Sequence, residues 1–211
     1  MPTVIVPVGL NLGPSYRYVT PPDPNPEFYR VRLGQDFAML SSDEFAVWKQ
    51  AFLDPTRHAQ LEVNRESLRA DIGTTGDGST PPERIINGLL KRELLIEFDP
   101  DGPLEKIFRN LKLLPTAEGM GSTPDEPAWE RIGQNGQPLL KVSPTVYGIW
   151  AFSSMEESLW TACSGLAEDA ERGRADGEEL DALTADEAAK AIAGNVPLLI
   201  SAGCAVLDKT P

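Results

Sequence analysis

Arg84, Lys91 and Arg92, with Asn87 among them, form the cationic cluster of this 211-residue chain that falls within an expected helix. Guanidinium and ammonium groups bind phosphate oxygens, and a carboxamide pairs with base edges, so these residue types on one helix suit nucleic-acid recognition. Arg84 and Lys91 lie about two helical turns apart and share a face. Glu83 and Glu93 flank the cluster and offset part of its charge. The same four positions are candidate contacts for a protein partner.

Catalytic chemistry has less to work with. His58 is the single histidine, and imidazole titrates near neutrality as a general base must. A Ser–His–acid triad could use only this residue, and no serine or cysteine stands out as its nucleophile. His58 therefore reads as a surface or capping residue at a helix start. The glycine-rich stretch Gly73 to Ser79 lacks the Gly-Lys-Ser/Thr ending that holds phosphate and magnesium, and it reads as a connector. No His/Cys/Asp grouping has ligand spacing, and no Asp-x-Asp-x-Asp-Gly loop is present, so neither a metal nor a cofactor is expected. Cys163 and Cys204 read as small core residues rather than a disulfide framework.

The formal charge of −13 is unevenly spread: residues 1–113 carry −3 and residues 114–211 carry −10. A negative surface repels the phosphate backbone whose neutralisation supplies most non-specific DNA affinity, which disfavours nucleic acid as the partner. The densest acidic run, Glu168 to Glu187, reads as a solvated face, with docking of a basic partner as its functional alternative. No stretch approaches the roughly 18 consecutive apolar residues of a membrane span, and a cytoplasmic protein without a membrane partner is expected.

These residues need elements to position them. Thr3 to Leu12 reads as an extended segment, followed by an arm that Pro21, Pro22, Pro24 and Pro26 keep from becoming helical. Tyr29 to Leu33 and Phe37 to Leu40 read as a hairpin. Ser41 or Ser42 caps a helix whose inner face carries Phe45, Trp48 and Phe52, and Pro55 closes it. A second helix is expected from about His58 to Ile72. Thr80-Pro81-Pro82-Glu83 reads as a capping box opening the helix that carries Arg84, Asn87, Lys91 and Arg92. A strand at 94–98 and a last helix at 104–113 complete the half.

In the second half, Pro124 to Pro127 reads as a loop, and 139–142 and Val146 to Trp150 as strands. Ser153 or Ser154 then caps a helix bearing Trp160, and Thr184-Ala185-Asp186-Glu187 opens another. A short helix over Val196 to Ala202 leads to a closing strand, Cys204 to Leu207.

The chain also matches itself at a spacing of about half its length. Leu40-Ser41-Ser42-Asp43-Glu44 through Trp48 resembles Phe152-Ser153-Ser154-Met155-Glu156 through Trp160, and Leu89-Leu90 before Leu94-Leu95-Ile96 resembles Leu199-Ile200 before Cys204-Ala205-Val206. Val6-Pro7 with Leu12-Gly13 is likewise similar to Leu114-Pro115 with Met120-Gly121. Self-similarity at a long fixed period marks a duplicated unit. Each unit is expected to run strand, helix, helix, helix, strand.

That order resembles the winged-helix superfamily, and the Ser-Glu-Trp helix with a Leu-Leu and strand finish is similar to small peptide-binding winged helices of the PqqD type. The resemblance implies an α+β chain of two tandem winged-helix-like units related by internal duplication, over residues 1–113 and 114–211, the first with an N-terminal extended arm. It implies a non-enzymatic regulator or adaptor that binds a protein or peptide by adding a strand to an exposed sheet edge. A DNA-binding transcriptional regulator using the third helix of the first unit is the alternative, and an enzyme of unassigned class stands third.

Overall fold

The computed structural model describes residues 3–51, 55–72, 80–177 and 181–210. Its first strands are β1, Val4–Pro7, and β2, Leu10–Ser15, followed by β3, Phe28–Leu33, and β4, Asp36–Leu40. β2, β3 and β4 form an antiparallel meander, and β1 leaves it to pair with β5, Leu95–Phe98.

Between β4 and β5 run four helices: α1, Ser42–Gln50; α2, Pro55–Ala59; α3, Arg65–Ile72; and α4, Pro82–Lys91. Ser41 is the cap of α1: its hydroxyl accepts the Glu44 N–H at 3.2 Å, and the Glu44 carboxylate accepts the Ser41 N–H at 2.9 Å. The aromatic face of α1 is realised by Phe45 stacked on Tyr29 at 4.1 Å and on Trp48 at 5.9 Å. Phe52 lies outside the described residues.

Several expectations fail in this stretch. The single helix over 58–72 is broken, because Leu61 adopts a left-handed φ of 56° and Asn64 starts α3 afresh by accepting the N–H groups of Glu66 and Ser67. His58, expected at the surface, is fully buried, with Nε2 2.7 Å from the Ala51 carbonyl. The Thr80 box does not form either. Pro81 occupies the cap of α4 without a side-chain hydrogen bond, leaving the proline-fixed φ to start the helix.

After β5 come α5, Glu105–Phe108, and β6, Leu111–Pro115. The helix expected over 104–113 is thus one turn long. Asn110 donates to the Lys106 carbonyl at 2.8 Å and ends it, and the alternating burial of Leu111 and Leu113 suits the strand that begins there. The expected unit boundary at 113 and 114 falls inside β6.

A second meander comes next: β7, Glu118–Thr123; β8, Glu126–Gln134; and β9, Gln137–Val142. Only β9 was expected. Val146 to Trp150, which reads as a strand, lies in α6, Pro144–Phe152. Ser143 caps it by accepting the Val146 N–H at 3.4 Å, Pro144 fixes the first turn, and Val146, Ile149 and Trp150 are buried at helical spacing. Burial at that period overrides the strand preference of Val, Tyr, Ile and Trp.

A 3₁₀ turn, Ser153–Met155, leads to α7, Leu159–Ala175, then α8, Ala185–Ala193, α9, Val196–Ser201, and β10, Ala205–Lys209, which pairs with β6. Ser153 does not start the Trp160 helix but ends α6, its N–H donating to the Ile149 carbonyl. It is buried, and its hydroxyl donates to the Leu113 carbonyl at 2.6 Å. Ser158 is the cap of α7, with Thr161 completing the box, whereas the Thr184–Glu187 box stands in front of α8 as the sequence indicates.

The halves share a core. Val4 to Val8 are all buried, which fits their unbroken apolar run, because β1 is covered on both faces. Ile5 and Leu95 pack with Trp48, Leu68, Ile86 and Leu89 of the first half. Val4, Val6 and Phe98 turn the other way and pack with Trp150, Ile192 and Leu199 of the second. The Gly9 N–H donates to the Leu207 carbonyl at 2.7 Å with φ at +101°, and a Cβ there would collide with the Arg32 carbonyl, so only glycine fits this crossing. Among the described residues no helix is long and apolar enough to cross a membrane.

Candidate partner-binding site

The four candidate contacts sit on or just after α4, and the structure separates them. Asn87 is turned into a polar network: its Oδ1 accepts from Arg65 Nη1 at 2.7 Å, and its Nδ2 donates to Glu83 at 3.4 Å. Arg65 in turn donates to Glu97 at 2.8 Å, which pushes its guanidinium further above its ordinary range. Arg92 is also engaged. One nitrogen pairs with Glu44 at 2.8 Å, and another donates to the Met39 backbone carbonyl at 2.7 Å. Arg84 and Lys91 are exposed and make no ion pair among the described residues.

The Arg92 contact places α4 against β4. β4 is an outer strand of its meander, paired only with β3, so its other edge has no strand partner among the described residues. Leu40 is buried, and the alternation of the pleat turns Phe37 and Met39 outward, where they are 60% and 54% exposed. Across the β3–β4 pair they face Arg32 and Arg30 respectively. This signal was readable: two large apolar residues on the outer side of a strand whose inner side is already filled. Sequence reasoning passed over it by treating the segment only as half of a hairpin.

Beside the edge lies a cleft of about 440 Å³ between the start of α1 and α4, lined by Asp43, Glu44, Arg84, Ile85 and Gly88 among others. A Cβ built on Gly88 meets nothing within 4 Å, so the glycine leaves the cleft open rather than serving the helix. An open edge, two exposed apolar side chains and a neighbouring cleft whose wall carries Arg84 together with Asp43 and Glu44 can bind an extended segment with apolar and charged side chains.

The other candidates resolve differently. Cys163 and Cys204 are buried free thiols, and burial pushes them up to about 12 and about 11, outside the range of a nucleophile at neutral pH. Trp160 is half-buried at the start of α7, with Arg109 lying 6.0 Å above its ring. The buried indole of the second half is Trp150, donating to the Cys204 carbonyl at 2.9 Å, and Trp48 donates to the Val8 carbonyl at 3.2 Å. Residues 73–79, the glycine-rich stretch, lie outside the described residues. Among the described residues no group of three His, Cys, Asp or Glu side chains could hold a metal ion.

Compared with known proteins, the chain matches no family model, no curated protein and no solved structure.

Proposed function

We propose that the protein is a non-enzymatic adaptor built from two tandem winged-helix-like units, and that it captures an extended segment of a partner protein by strand addition at β4. The tandem reading is supported by element order. In residues 4–98 the first strand pairs with the last, and a three-stranded meander and a serine-capped, Trp-bearing helix lie between them. Residues 111–209 follow the same order, with β6 pairing β10 and Ser143 capping the helix of Trp150.

The observation that carries the binding reading is the β4 edge. Unpaired strand edges are normally blunted, yet this one presents Phe37 and Met39 beside an open cleft. Its Met39 carbonyl is occupied by Arg92, a bond that a docked strand would have to replace. Such a strand would supply main-chain hydrogen bonds along its length, and Arg84 with Asp43 and Glu44 on the cleft wall would favour charged side chains on it.

Panning a displayed random-peptide library against the protein tests this. Captured peptides should slow hydrogen exchange in β4, and Gly88→Leu, which fills the cleft where there is room for it, should weaken them about tenfold without loss of stability. Failure to select any peptide, or indifference to Gly88→Leu, overturns the reading. Salt-sensitive retardation of duplex DNA, lost in the Arg84/Lys91/Arg92→Ala variant, replaces it with the DNA-binding one.

A further inference from the structure

We infer that the groove between α6 and α7 is a second docking surface, and that its occupant is a cationic amphipathic helix of a partner protein. The inference stands on residues of the second half alone, so the β4 reading can fail without it.

Phe152 is 64% exposed and Met155 is 79% exposed, and they stand side by side at the end of α6 and in the 3₁₀ turn. They are not displayed by a loose loop. Ser153, between them, is fully buried and anchored to the Leu113 and Trp150 carbonyls at 2.6 and 3.2 Å, which fixes the turn to β6 and holds its neighbours outward. Contiguous large apolar side chains kept in water and rimmed by polar ones mark interaction surfaces, and methionine adapts such a surface to its ligand.

Next to them runs a groove of about 370 Å³ whose floor is Gly148, Ile149, Ala162 and Leu166. The groove lies between two packed helices, and a third helix laid along it would bury an apolar stripe against Phe152 and Met155.

Charge decides which helix. The polar groups on the rim are Glu156, Asp169 and Arg172, and Arg172 is paired with Asp169. Glu156 makes no ion pair among the described residues, which leaves the rim with an uncompensated negative charge, and residues 114–211 carry −10. A helix with Lys or Arg flanking its apolar stripe completes this rim, whereas a second copy of this chain would set acidic rims against each other.

The test uses two synthetic helical peptides, one of leucine and lysine in amphipathic order and one with glutamate in place of every lysine, titrated against the full chain at physiological salt. The lysine peptide should bind with one site and the glutamate peptide should not. Phe152→Ser should weaken binding about tenfold, the loss typical of truncating an interface aromatic. Gly165→Leu should do the same by obstructing the groove mouth. Its Cβ has open space, so the fold tolerates it, and no charge changes. Unaltered binding by Gly165→Leu would mean attraction by bulk charge alone and would overturn the inference. So would equal binding of both peptides, or a wild-type dimer that Phe152→Ser makes monomeric.

Discussion

The Asp208 carboxylate, on the last strand, grips Arg32 on β3: Arg32 Nη2 donates to Asp208 Oδ2 at 2.9 Å, and the other oxygen accepts the Gly34 N–H at 2.7 Å. The Asp208 side chain is only 7% exposed, and this pair ties the first meander to the final strand of the other half. Residues far apart in sequence are joined here by a buried charge with each of its oxygens bonded, and such a charge is costly to disturb.

Asp208→Ala should therefore destabilise the chain by about 1–3 kcal/mol, the penalty of leaving the part-buried Gly34 N–H and Arg32 guanidinium unmatched. Urea unfolding followed by tryptophan fluorescence measures it. A change below about 0.5 kcal/mol, the usual range of a surface substitution, would mean that the two halves do not depend on this contact.

The tryptophans should separate into two classes. Trp48→Ala and Trp150→Ala remove buried indoles that also donate to backbone carbonyls, and each should cost about 3–5 kcal/mol. Trp160→Ala removes a half-buried ring lying under Arg109 and should cost roughly 1 kcal/mol. Equal costs for Trp150 and Trp160 in denaturant unfolding would contradict this placement.

Alkaline pH should weaken the fold through its cysteines. Burial raises Cys163 from 9.0 to about 12 and Cys204 from 9.0 to about 11, so the unfolded chain loses these protons first. The stability they contribute is complete below pH 9 and is lost as pH rises through the folded values. Urea midpoints should fall above pH 9, and Cys163→Ala should make that fall shallower than in the wild type. Parallel pH profiles for the two proteins would remove the cysteines as the cause.

Some local signals were legible in the sequence where a side chain acts on its own backbone, although the Thr80 box did not form and the caps Asn64, Ser143 and Ser158 were passed over. Ser41 with Glu44 and Thr184 with Glu187 cap their helices because cap and acceptor lie within one turn and need nothing from elsewhere. Thr3 to Leu12 was read as extended and holds β1 and the start of β2, and the cysteines were read as core, where both are buried. The cluster Arg84, Asn87, Lys91 and Arg92 could be found as a patch of charge on a helix.

Only the tertiary structure decided what those residues face. The serine–tryptophan match pointed to Trp160, but Ser153 is spent on the Leu113 carbonyl, and the indole at the same distance from a capping serine as Trp48 is Trp150, behind Ser143. Val146 to Trp150 carries strand-forming side chains and is nevertheless helical, because burial against α7 and α8 rewards helical spacing more than β propensity opposes it. Asn87 and Arg92 are engaged at the surface by Arg65, Glu44 and the Met39 carbonyl, partners remote in sequence that no local pattern announces. A capping pattern is written in a few consecutive residues, but Thr80 and Ser153 show that packing still decides whether the pattern is used. Which edge stays open and which charge stays unpaired depends on what long-range packing brings alongside, and that is settled only when the whole chain folds.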